Sequence, residues 1–205
     1  MSYLYSTLFI LLCYFSLHVA VIQLDQLDPK EIAIMQYDSR QPLTDYWLAA
    51  ARWNKYYCDK HGHTFVYYVN KYRKKKDSQW CVKDVLASPW CKVKAMVQAN
   101  EDYPDVKVFI YMDSDAVIDR KFQDVSLNMV LKTMQSKLDW DPERKPLVFN
   151  QDGPCWWCAL VERVGYKMCL NAGTVIWYRH EVSERLLVDW WNSSMDPYEG
   201  NPIKR

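Results

Sequence analysis

Apolar positions along this chain gather into short β-branched and aromatic runs, and amphipathic stretches alternate with them. Ile32-Ala33-Ile34-Met35-Gln36 reads as a buried strand. Tyr46, Ala50, Trp53 and Tyr57 then recur at helical spacing, and Gly62 supplies the stop. Thr64-Phe65-Val66-Tyr67-Tyr68-Val69 is a second strand. Strand, helix, strand in this order predicts a right-handed parallel unit. A second helix is predicted from Ser88-Pro89, with Ser as cap and Pro in the first turn. It carries Trp90, Val93 and Val97 on one stripe and ends near Tyr103-Pro104. Val108-Phe109-Ile110-Tyr111-Met112 is the third strand, and residues 125–138 read as helix. Leu147-Val148-Phe149 is a short strand that turns at Gln151-Asp152-Gly153-Pro154. A further strand over residues 172–178 precedes an amphipathic helix bearing Leu186, Leu187, Trp190 and Trp191. The expected class is α/β, a mostly parallel central sheet flanked by helices.

Two carboxylates, Asp113 and Asp115, emerge one residue apart at the end of the third strand. In open α/β sheets the carboxyl edge is where ligands bind. Both are oxygen ligands suited to a hard cation, Mn²⁺ or Mg²⁺, which would bridge to a diphosphate. Two chemistries share this pattern. Asp113-Ser114-Asp115-Ala116-Val117 matches the Asp-x-Asp-x-Thr/Val of haloacid-dehalogenase-type phosphohydrolases, with Asp113 as nucleophile. The same pair can instead hold a cation against the diphosphate of a nucleotide sugar. Such phosphohydrolases carry the pair on their first core strand, with a later Lys and acidic pair. Here a strand-helix-strand unit and another helix come first.

Composition narrows the field. With 205 residues, half of them apolar, the chain can bury a core as one domain. A net charge of +1 gives no field for nucleic acid. The basic run Lys71-Tyr72-Arg73-Lys74-Lys75-Lys76 is local and reads as a solvated loop. Residues 3–22 are nearly uncharged and match the roughly 20 residues that span a bilayer. No small-x-small cleavage site precedes Gln23, which favours an uncleaved signal anchor over a signal peptide for residues 1–24. Residues 25–205 then form the domain. Six cysteines lie outside that segment, an even number open to disulfide pairing in an oxidising lumen. Cys155-Trp156-Trp157-Cys158 lacks a second ligand pair, so zinc is not expected.

Three stretches together resemble the GT-A fold nucleotide-sugar glycosyltransferases, in particular the galactosyl/xylosyltransferase family GT34. They are Lys55-Tyr56-Tyr57-Cys58-Asp59-Lys60-His61-Gly62-His63, then Trp90-Cys91-Lys92 with the strand into Asp113-Ser114-Asp115-Ala116, and Leu170-Asn171-Ala172-Gly173 followed by Trp190-Trp191. The resemblance runs from about Ile32 to Trp191 and implies a Rossmann-like GT-A domain. It implies transfer of a hexose or pentose from a UDP-sugar to a glycan or glycoprotein, with Mn²⁺ (or Mg²⁺) and retention of configuration. Asp113 and Asp115 would be the catalytic pair and metal ligands, Asp115 the firmer one. Gln36 and Tyr37 would line the uridine pocket, Lys92 would face the phosphates or sugar, and Asn171, Ala172 and Gly173 would approach the donor sugar. Gln151 and Asp152 are further donor or acceptor candidates. Each has a plainer reading: Tyr37 as loop packing, Lys92 as an exposed helix lysine, Asn171-Ala172-Gly173 as a turn into a strand. His61 and His63 read as helix-end residues and not as ligands.

The family's chains continue past the last helix seen here, with an acid/Gln pair and a late His that completes the metal shell. Residues 196–202 read as a run-in to such a region, so the domain is expected to be incomplete at its C-terminus. A truncated binder of UDP or a glycan, without turnover, is the non-enzyme alternative. The implied location is the Golgi or endoplasmic reticulum membrane, single-pass type II with a lumenal domain, or the exterior if the N-terminus is cleaved.

Overall fold

The computed structural model describes residues 23–38, 45–69, 90–151 and 170–193. Five strands form one sheet: β1 (Ile32–Asp38), β2 (Thr64–Val69), β3 (Val108–Met112), β4 (Leu147–Gln151) and β5 (Leu170–Tyr178). Their order is β2-β1-β3-β5-β4. β1 pairs in parallel with both β2 and β3. β5 runs antiparallel to its neighbours β3 and β4. Four strands therefore point one way and β5 alone opposes them. This is the mixed α/β, mostly parallel architecture expected.

Four helices cover the sheet: α1 (Asp45–His61), α2 (Cys91–Asp102), α3 (Leu127–Leu138) and α4 (Glu181–Ser193). Gly62 ends α1 with φ +76, a conformation open to glycine without a side-chain clash. Ser126 caps α3, its side chain accepting from Met129 N at 3.4 Å. Every residue of β1 and β3 is buried, because helices lie on both faces. That is why these strands read as continuous apolar runs without alternation.

The pleat divides each strand between two cores. Ala33, Met35, Phe109, Tyr111, Val175 and Trp177 pack against Ala95, Met96 and Ala99 of α2 and Leu187 of α4. Ile32, Ile34, Val108, Ile110 and Met112 pack against Tyr57 and Cys58 of α1 and Leu127 and Leu131 of α3. Trp177 stacks on Phe109, centroids 4.7 Å apart, and its indole N–H donates to Asn100 Oδ1 at 3.0 Å. Arg179 donates to the carbonyls of Asn100, Tyr103 and Val106 at 2.8–2.9 Å. It thereby satisfies the end of α2 and the turn into β3. The far end of α2 is pinned, and its first turn sits at the carboxyl edge of the sheet.

Some expectations change. The sequence pattern does not reveal that β5 is antiparallel. Cys58 is a free, buried thiol whose pKa burial pushes up to about 12, so the cysteines outside the apolar segment do not all pair. Cys91 is disulfide-bonded. Leu24, on the N-terminal side of the expected domain boundary, is fully buried in the α1/α3-facing core. The apolar segment 3–22 and the helix start Ser88-Pro89 lie outside the described residues. Among those described, no helix is long and apolar enough to cross a membrane.

His63 accounts for a testable property of this fold. It is buried, its Nδ1 is 3.0 Å from Pro29 O, and its Nε2 accepts from Leu127 N at 3.2 Å. Pro29 O can only accept, so Nδ1 carries the proton and the ring is neutral. Burial lowers its pKa from the ordinary 6.5; the bond to Pro29 opposes this and His61 adds to it. The unfolded chain takes up a proton near 6.5 that the folded chain resists. The contribution of His63 is thus present above that pH and lost as pH falls through it. Denaturant midpoints should drop on acidification below 6.5, and His63→Gln, which keeps a donor and an acceptor but does not titrate, should flatten the drop.

Candidate functional site at the carboxyl edge of the sheet

The chain leaves β1 toward β2 on one side, then crosses back to place β3 on the other side of β1. Such a reversal opens a crevice at the carboxyl ends of the two strands, where α/β sheets bind ligands. Asp113 begins the loop after β3, inside that crevice. Because β5 is antiparallel, its first residues return to the same edge. Met112 lies opposite Thr174, and Asp113 N donates to Gly173 O at 2.8 Å. This brings Asn171-Ala172-Gly173 against the acidic pair from 56 or more residues away.

Asp113 Oδ1 accepts from Tyr111 Oη at 2.9 Å and from Lys92 Nζ at 3.1 Å. The same ammonium donates to Ala172 O at 3.0 Å and lies 5.5 Å from the centre of the Tyr111 ring. The Lys92 side chain is 16% exposed, against 42% for Asp113, so the pair is shielded on the lysine side and open on the acid side. Burial first, then the Asp113 charge and the hydrogen bond to it, raises the Tyr111 pKa and keeps that phenol protonated. Asp113 Oδ2 faces Gly173: a Cβ there would sit 3.1 Å from Oδ2 and 2.7 Å from Asn171 Oδ1. Asn171 Oδ1 in turn accepts from Gly173 N at 2.5 Å. Glycine is required here by close approach, not by a left-handed φ.

Asp115 is exposed, and its carboxylate has no partner among the described residues. Ala116 N donates to Asp113 O at 2.9 Å, which closes a turn over Ser114 and Asp115. Gln36 lies beneath this turn, wholly buried, donating to Asp113 O at 3.0 Å and Ala116 O at 3.1 Å. The opposite amide orientation would face its oxygen with two carbonyls, so the assignment is chemically determined. Tyr37 is buried in the α2-facing core beside Met35. Thus Gln36 meets the acidic loop from below, and Tyr37 is packed within β1 and not in a loop. Gln151 ends β4 opposite Leu170, at the same sheet edge. Asp152 lies outside the described residues.

Three residues of the site escaped the sequence reading. Tyr111 shares a face with Asp113 by the two-residue strand period, so alternation alone points to it. Asn54 is fully buried and meets the loop twice, and Trp53 meets it once. An asparagine on the buried stripe of α1 is the signal that could have found it. His61 meets Gln123 O at 2.9 Å and His63 meets the backbone, so neither faces the acidic pair.

The residues that can hold a divalent ion are Asp113 and Asp115. Among the described residues no cluster of three or more His, Cys, Asp or Glu converges. An oxygen-only pair suits Mg²⁺ or Mn²⁺ when water and phosphate oxygens fill the remaining positions. With Oδ1 of Asp113 engaged by Lys92 and Tyr111, Oδ2 is the oxygen left for such a role.

The model of the galactosyl transferase GMA12/MNN10 family matches residues 32–202. The chain belongs to that family. The match takes in β1, the Asp113–Asp115 turn and Asn171–Gly173, so GMA12/MNN10 membership makes the chain a glycosyltransferase. The fold is similar to that of a glycosyltransferase involved in the glycosylation of the major capsid of PBCV-1. That likeness has a TM-score of 0.55 at 17% identity and covers 83% of this chain and 71% of the other. At that identity it concerns the fold alone. No curated protein matches the chain in sequence. The phosphohydrolase alternative therefore gives way, as the third-strand position of the acidic pair already suggested.

The Gly173 cradle yields a prediction. Gly173→Ala should push Asn171 Oδ1 and Asp113 Oδ2 apart, lowering transfer activity by roughly tenfold or more. The stability loss should stay near about 1 kcal/mol. Activity assays paired with denaturant unfolding check both halves.

Proposed function

We propose that this chain moves a hexose or pentose from a UDP-sugar to a glycan or glycoprotein acceptor. The observation that carries the reading is the acid pair at the strand-order reversal, with Gly173 leaving Asp113 Oδ2 open on one side. Asp113 and Asp115 would hold Mn²⁺ (or Mg²⁺). When bound, the cation would supply Lewis-acid stabilisation to the leaving nucleoside diphosphate. Lys92 brings a second positive charge to the same spot. Its ammonium can exchange Asp113 for a phosphate oxygen while keeping Ala172 O. Tyr111, held protonated, keeps its hydrogen bond to Asp113 throughout and so maintains the carboxylate orientation.

Asn171, Ala172 and Gly173, which meet Asp113, would line the donor sugar attached to that diphosphate. Gln151, at the same edge, and Asp152 are candidates for the donor or acceptor side. At this edge the acidic pair is joined by Asp38, which ends β1 but is buried, so it is not presented to a bound sugar as a nucleophile. Retention would then follow from front-side displacement on the bound donor. Gln36 and Tyr37 would shape the floor of the nucleoside end from beneath. The lumenal side of the Golgi or endoplasmic reticulum membrane, behind the apolar segment 3–22, is the location we assign on sequence grounds.

Asp115 gives the test. It is exposed and unpartnered among the described residues, so Asp115→Ala should leave the unfolding temperature unchanged. The same change should abolish Mn²⁺-dependent release of UDP from a UDP-sugar in the presence of acceptor. Full activity in that variant would sink the reading.

A further inference from the structure

Asp115 is the group of the acidic pair that has no side-chain partner among the described residues, so its placement follows from the turn that carries it. The loop that carries it is held instead from α1 and β1. Asn54 Nδ2 donates to Ala116 O at 2.8 Å, and Asn54 Oδ1 accepts from Ile118 N at 3.0 Å. Its neighbour Trp53 donates from Nε1 to Ile118 O at 2.8 Å. Gln36 adds the two bonds to Asp113 O and Ala116 O. Three side chains thus fix residues 113–118 through five hydrogen bonds.

Asn54 is fully buried, yet a core position on α1 is filled elsewhere by Ala50, Ala51, Tyr57 and Cys58. An amide there is costly unless both of its ends are bonded. Both are, and both bonds go to the loop behind the acidic pair. They match the donor and acceptor pattern of a strand neighbour on a segment that has left the sheet. The amide supplies what the sheet no longer does.

We propose that Asn54 is a positioning residue for the transfer site, aiming Asp115 by fixing residues 116–118, with Trp53 as its second contact. This rests on the reading of Asp113 and Asp115 as the donor-binding pair. Outer groups that orient metal ligands typically matter by roughly 10- to 100-fold in affinity. Removal of Asn54 lets the loop wander, leaving Ile118 N unpaired and Ala116 O with the Gln36 bond alone. The open side of the pair then loses its shape while the strands stay in place.

The test is calorimetric titration of the full chain with Mn²⁺ and UDP, without acceptor, on wild type, Asn54→Ala and Leu131→Ala. Leu131, fully buried on α3 in the α1/α3-facing core, serves as a control that lowers stability without removing any of the five hydrogen bonds to the loop. Asn54→Ala should weaken binding by roughly 10- to 100-fold, and amide hydrogen exchange of residues 113–118 should quicken. Leu131→Ala should lower the melting temperature and leave affinity as in wild type. Should Asn54→Ala fail to fold, Trp53→Phe, which removes one bond, is expected to weaken binding several-fold. Wild-type affinity in the loop variants, or a loss no larger than that of Leu131→Ala, overturns the inference alone. A wild-type chain that binds neither Mn²⁺ nor UDP overturns the donor-site reading and this inference with it.

Discussion

One ammonium group ties the site together. Lys92 Nζ reaches Asp113 Oδ1 and Ala172 O at once, so a helix, a parallel strand and an antiparallel strand meet at a single charge. Remove it and a carboxylate that also accepts from a buried phenol loses its compensating charge. The rest of the fold serves that meeting. Arg179 and Trp177 pin the far end of α2, which places the first turn of the helix over the sheet edge. The antiparallel course of β5 returns Ala172 to the edge where β3 ends. The parallel pairing of β1 with β3 opens the crevice between them.

The arrangement is two-sided. On the α2 face, charge is concentrated and shielded: Lys92, Tyr111 and Asp113 lie together with little exposure on the lysine side. On the α1 face, neutral amides do the holding, since Gln36 and Asn54 bond only to backbone. This division would suit the proposed diphosphate site. The charged side can change partners when an anion arrives, and the neutral side keeps the turn in shape meanwhile. Gly173 keeps clear the space beside Asp113 Oδ2 that a Cβ would enter at 3.1 Å.

Much of this was legible beforehand, for identifiable reasons. β1, β2 and β3 are local runs of apolar residues, and local patterning located them to within a residue or two. The acidic pair was legible because two carboxylates at the end of a buried strand have no role in packing. The direction of β5 was not, since strand polarity depends on partners far apart in the sequence. Tyr111 was hidden by its own apolar run, where a tyrosine looks like any core aromatic. Asn54 was hidden because helical spacing reports which positions are buried and not what a buried amide bonds to. Gln36 was seen as a site residue, but its wholly buried contact with the acidic turn needed the three-dimensional arrangement.

The central claim is that the turn at Asp113–Asp115 and the start of β5 form one donor site. Nuclear magnetic resonance of the labelled chain with substoichiometric Mn²⁺ and UDP tests it most directly. Paramagnetic broadening should fall first on the amides of residues 113–116 and of Ala172 and Gly173, sparing α3 and the opposite sheet edge. Broadening centred elsewhere, or confined to the acidic turn without the β5 residues, would contradict the account.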